Sequence, residues 1–115
     1  MADQVYTPRD EVAGSGQIRT VRAVIKSGET FTRLTPLMRD AADKSVLVKW
    51  DGDLAKQPVA LSACSADALS VNTLQSVYDA GCFRIDVVQW PANADTEAER
   101  RSAFLGTGLA VENEL

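Results

Sequence analysis

The sequence predicts a mainly β domain with one short α-helix. Three observations carry that reading. Apolar and polar residues alternate in several short runs, beginning with IRTVRAVI at 18–25. Gly, Pro and Asp clusters interrupt those runs at short intervals. A single segment, 95–106, abandons alternation for the charge order and capping residues of a helix.

Residues 1–17, MADQVYTPRDEVAGSGQ, are polar, contain Pro8 and end in Gly14-Ser15-Gly16. They show neither strand nor helix period, which predicts a flexible arm. In IRTVRAVI, Val21, Ala23 and Ile25 fall on one side of an extended chain and Thr20 and Arg22 on the other. KSGE follows as a turn in which Gly28 can take positive φ. TFTRLTPLM resumes extended structure; Pro36 has no N–H for a ladder, which predicts an edge position or a bulge. RDAADKS is a connector, and VLVKW is a short strand ended by the turn Asp51-Gly52-Asp53.

After Pro58, the small residues Ala60, Ser62, Ala63 and Cys64 predict close approach of another layer. LSVNTLQSVY is extended, but its alternation slips between Thr73 and Gln75, which a bulge there would reconcile. Asp79-Ala80-Gly81 predicts a hairpin into CFRIDVV, with Phe83, Ile85 and Val87 inward and Arg84 and Asp86 outward. Pro91 stops that strand. Asp95, or Thr96 with Glu99 as a capping box, opens the helix; acids precede Arg100 and Arg101 as the helix dipole favours, and Gly106 is placed to end it. TGLAV offers a last strand.

A chain of 115 residues suits one domain. Twelve Lys and Arg against 16 Asp and Glu give a net charge of −4, which argues against a sequence-independent grip on nucleic acid. No apolar run approaches the roughly 20 residues that span a membrane, and the first residues lack a signal peptide's apolar stretch, so no membrane is expected. Cys64 and Cys82 lie in apolar runs and read as reduced, buried thiols of a protein made in cytoplasm.

Chemistry is hard to find. With no histidine, imidazole-based triads and metal sites are absent. Asp51-Gly52-Asp53 has too few ligands for calcium. Glu97 and Glu99 are two apart on a helix and point different ways. The Gly14–Gly16 run lacks the strand and helix of a phosphate loop, and Cys64 has no base nearby in sequence. The expectation is no enzyme, no metal and no cofactor. Trp50 and Trp90 each sit where a strand meets a turn and either cap the core or anchor an interface.

Four blocks in order, LTPLMRD, VLVKWDG, TLQSVYDAGCFRIDVVQWP and RRSAFLGTGLAV, resemble the head decoration proteins of phage lambda and its relatives. The resemblance runs from about Gly28 to Val111, with WDG, WP and AFxGT as its most specific elements. It implies a β-clip or tulip-like domain at 26–115 behind a flexible arm at 1–25. It also implies a capsid-stabilising homotrimer on the outer face of the expanded virion head, at three-fold and quasi-three-fold sites, with the major capsid protein as partner. In that family the arm orders on the capsid and adds to its sheet. Before Gly28 the match is loose, and the residues that would add to a capsid strand are Ile18, Arg19, Thr20, Val21, Arg22, Ala23, Val24 and Ile25. The alternative for this stretch is an ordinary strand of the domain's own sheet. The alternative for the whole chain is a β-clip module binding a small ligand or glycan, suggested by the strand-Gly-turn-strand texture of VIKSGETFTRLTPLM.

Overall fold

The computed structural model describes residues 18–112; the arm expected over 1–17 lies outside the described residues, as do residues 113–115. The elements are β1 (Arg19–Ile25), β2 (Pro36–Arg39), β3 (Leu47–Lys49), β4 (Ala60–Ser62), β5 (Thr73–Arg84), α1 (Glu97–Ala103) and β6 (Leu109–Glu112). They form a mainly β domain with a single short helix among the described residues. The sheet runs β1-β3-β2-β4-β5-β6, and β1 also pairs with β5, so the first five strands close on themselves while β6 extends β5. Closure removes most exposed strand edges.

Two buried clusters fill the domain. Ile25, Phe31, Leu37, Leu47, Ala60, Ala66 and Val77 form one, joined by the partly buried Val21 and Ala23. The expected inward face of β1 is therefore the observed one. The second cluster gathers Trp50, Leu61, Phe83 and Phe104 with smaller residues of α1 and β6. Strand β4 explains the run of small side chains: Ala60 faces one cluster and Leu61 the other, so both its faces are covered. Ser62 is 1% exposed and keeps its hydroxyl satisfied by donating to the Thr32 carbonyl at 2.8 Å.

Several local expectations are corrected. Pro36 is not on an edge: β2 lies between β3 and β4. It is the first residue of its strand, where a missing N–H costs no ladder bond, and its carbonyl still accepts from Trp50 N–H at 2.9 Å. Asp79-Ala80-Gly81 is not a hairpin, because β5 continues through it from Thr73 to Arg84. The chain instead changes partners there. Thr73 to Ala80 pair antiparallel with β1, and Gly81 to Arg84 pair parallel with β6. Finally, the bulge falls at Asp79 rather than between Thr73 and Gln75: Arg19 opposes Ala80 and Thr20 opposes Tyr78, leaving Asp79 as the extra residue. One extra residue reverses side-chain parity. Val77 consequently points into the first cluster, while Tyr78 and Phe83, an odd number apart, both pack at the second. The strand ends at Arg84, and Val88, not Val87, is the buried valine of the following turn.

Gly81 makes this crossover feasible. Its φ is +134°, and a Cβ there would lie 3.1 Å from Ile18 Cγ1, 3.2 Å from Ile18 Cα and 3.2 Å from the Phe83 ring. Gly81→Ala should therefore cost about 1–3 kcal/mol of folding stability, combining backbone strain with displacement of Ile18. Urea denaturation beside the wild type measures it; an unchanged midpoint would show that the bend tolerates a side chain.

The helix matches its sequence signals closely. Thr96 is the N-cap, and its hydroxyl accepts from Glu99 N–H while the Glu99 carboxylate accepts from Thr96 N–H, a complete capping box. Those bonds hold the Glu99 carboxyl below the usual carboxylate range. Arg101 pairs with Glu97 one turn back at 2.7 Å and with Glu112 of β6 at 2.9 Å, tying helix to sheet. The helix ends at Ala103 with Phe104 as C-cap, and Gly106 takes a φ of +87° two residues after that cap.

Candidate functional site

The residues expected to add to a foreign strand occupy β1. Seven of them, Arg19 to Ile25, pair with β5, and Ile25 is fully buried. The structure thus places this stretch in the domain's own sheet. Its second edge is a different matter. Among the described residues that edge meets β3 only at Ile25 opposite Leu47, with Lys26 N–H donating to the Leu47 carbonyl at 3.0 Å. Backbone groups alternate sides along a strand, so Thr20, Arg22 and Val24 direct theirs toward the same side as Lys26. Between Arg19 and Arg22 no strand among the described residues pairs with that edge. An edge of this kind is a template for another extended segment.

The charges around β1 are partly committed. The Arg19 guanidinium grips the Asp79 carboxylate in two bonds, at 2.8 and 2.5 Å. Those bonds hold the Asp79 carboxyl below its usual range and raise the Arg19 guanidinium above its own. The bulge that frees Asp79 from a cross-strand partner therefore supplies the acid that clamps the start of β1. Lys26 sits 3.4 Å from Asp40. The Asp40 carboxyl is held low chiefly by the Asp43 backbone N–H. Arg22 is exposed.

The two tryptophans separate. Trp50 is 1% exposed; its Nε1–H donates to the Asp53 carbonyl at 3.0 Å. Trp90 is half-buried, and its Nε1–H donates to the Ile85 carbonyl at 2.8 Å. Their rings meet edge to face at 6.5 Å, and Trp90 also contacts Phe104 at 6.0 Å, with the Arg100 guanidinium over its ring at 5.7 Å. The turn after Trp50 packs on the segment after Trp90. A Cβ on Gly52, whose φ is +91°, would lie 2.6 Å from Asn93 Cβ, and Asn93 donates to the Asp51 carbonyl at 2.9 Å. The WDG, WP and AF blocks, far apart in sequence, are thus one packed junction. Both tryptophans line a concavity of about 470 Å³ with Thr35, Gln89 and Pro91, but Trp50 is almost wholly buried there and only Trp90 keeps exposed surface.

The thiols sit apart from any such geometry. Cys64 Sγ lies 3.6 Å from the Gln75 side-chain oxygen, and burial, then the Glu112 charge, pushes the Cys82 thiol up, which disfavours the reactive thiolate. No group of three His, Cys, Asp or Glu side chains converges among the described residues, and none of their helices is long and apolar enough to cross a membrane. Sequence reasoning missed Gln57. Its side-chain amide donates to the carbonyls of Ala103 and Leu105, pinning the loop before β4 to the end of α1. Only the tertiary fold brings those segments together.

Compared with known proteins, the chain is 31% identical over 108 residues to a protein of Escherichia phage N15 named "Putative decoration protein", covering 94% of this chain and 96% of that one. No protein-family model matches it.

Proposed function

This chain belongs to the phage head decoration protein family, and from that premise we propose that it is a capsid cement, binding the outside of the expanded head as a homotrimer and locking neighbouring major capsid subunits together. Its role is structural, and its place is the capsid surface of the virion. The finer reading concerns attachment. A capsid segment adds as a strand along the open edge of β1, at Arg19 to Arg22. The observation that carries this is the half-open strand: β1 is held by β5 on one side and met by β3 only at Ile25 on the other. Strand addition supplies backbone hydrogen bonds without needing a pocket. Exposed Arg22 adds attraction to acidic capsid side chains, an effect that salt weakens.

Ordering the added capsid segment costs roughly 1–2 kcal/mol per residue in backbone entropy, so each edge gains modestly. Three such edges on one trimer turn modest contacts into lasting attachment.

Co-sedimentation with expanded heads tests the reading. The wild type should pellet with them. Arg22→Pro removes an outward N–H while sparing the ladder to β5, so it should keep the wild-type denaturation midpoint yet stay in the supernatant. A wild type that remains in the supernatant would remove the cement reading and favour a ligand-binding module. An Arg22→Pro protein that decorates normally would remove the edge mechanism alone.

A further inference from the structure

The surface where the end of α1 meets the loop before β4 has no role in the attachment just described. Two large apolar side chains are exposed there: Leu54 at 45% and Leu105 at 70%. They belong to the two segments that Gln57 joins through its bonds to the carbonyls of Ala103 and Leu105. Gln57 and Ala55 also line a cleft of about 390 Å³ whose floor is Met38 and Val59 and whose rim carries Arg39, Lys44 and Lys56. One acid, Asp40, lies in the lining, but its carboxylate already accepts from the Ala42 and Asp43 N–H groups and faces Lys26. Lys56 is 3.5 Å from Asp51 but its side chain remains 54% exposed. Apolar floor and cationic rim describe a seat for a small-residue, acidic segment.

This chain carries such a segment. Asp95, Thr96, Glu97 and Ala98 are all exposed at the opening corner of α1, and no base intervenes between Asn93 and Arg100, although Glu97 also pairs with Arg101 while its side chain stays 61% exposed. The cleft adjoins the end of α1 through Gln57, whereas the acidic corner opens that helix. A contact between two different patches repeats head to tail and closes into a ring when its rotation allows.

We propose that the Arg39–Lys44–Lys56 cleft seats the Asp95–Glu97 corner of a second copy, and that this contact, made three times, is the ring interface of the trimer. It rests on the trimeric reading above. Leu54 and Leu105 flank the seat and lose their exposure in the ring.

The test separates this contact from that reading. Sedimentation equilibrium of the full chain, in low salt and at high concentration, is run beside zero-length carboxyl-to-amine cross-linking of decorated heads. In the wild type, inter-copy cross-links should join Lys44 or Lys56 to Asp95 or Glu97. Lys44→Glu with Lys56→Glu should weaken association at least tenfold, as should Asp95→Lys with Glu97→Lys. Mixing the two variants in equal amounts should restore pairwise association but not closed rings of three, because unlike copies match at both kinds of contact while one contact in any three-membered ring joins like copies and stays mismatched. A single chain carrying all four changes should recover association to within a few fold. Association unchanged by either reversal, or inter-copy cross-links that never include these residues, would overturn the docking and leave the trimer standing. Single, unlinked copies on heads would overturn the trimer and this contact together, while head binding itself would still support decoration.

Discussion

Deleting residues 1–25 should leave a chain that does not fold, whereas deleting 1–17 should leave a cooperatively folding domain. The shorter cut stops before every described strand. The longer cut removes β1 entirely, with the seven pairs that cover one side of β5. It also takes Ile25 from the first cluster, together with Val21 and Ala23. Losing one buried Ile side chain typically costs about 2–5 kcal/mol. A domain's whole stability is only about 5–15 kcal/mol, and opening the closed sheet adds unpaired backbone to the loss. Circular dichroism and urea denaturation of the two truncations decide it. A 26–115 fragment as stable as the full chain would show that β1 is peripheral to the fold and that the arm does end at Ile25. Head binding by the shorter truncation then apportions attachment. Retained decoration assigns it to the edge of β1, and lost decoration assigns it to residues 1–17.

Trp50→Ala should cost about 3–5 kcal/mol, the largest loss expected of a single substitution here. The ring is 1% exposed and sits between the strand it ends and the segment after Trp90. Its removal leaves a cavity where the ring packs edge to face on Trp90. Trp90→Ala should cost less, because Trp90 is half-buried and keeps one side toward solvent. Measured together, chemical denaturation and head binding distinguish the two positions. Trp50→Ala should lose both in proportion, as an unfolding variant does. Trp90→Ala should bind heads less well than its residual stability explains if its exposed face touches a neighbour. Equal stabilities for the two variants would contradict the burial difference on which this rests.

What the sequence determined was local. The alternation of IRTVRAVI, the Thr96–Glu99 box and the Gly28 turn depend on neighbours within a few residues, and each was readable and is present, whereas the strand expected to run to Trp90-Pro91 stops at Arg84. Family membership was readable too, because four blocks kept their order, although why those blocks belong together was not. The tertiary structure decided the rest. Asp79-Ala80-Gly81 has the composition of a hairpin turn, yet the chain runs straight on, because partners on either side, β1 before Gly81 and β6 after it, hold it extended. Pro36 looked like an edge residue, and only its place at the first position of β2 lets it sit between two strands. The parity of β5 was unreadable for a related reason: the extra residue at Asp79 changes which side meets which cluster, and only the pairing with β1 reveals where it lies. Whether β1 is arm or sheet could not be settled from its own residues, since a strand has one pattern of side chains whichever strand it meets. Backbone pairing is set by what lies alongside in space, and that information is held by β5, some fifty residues further along the chain.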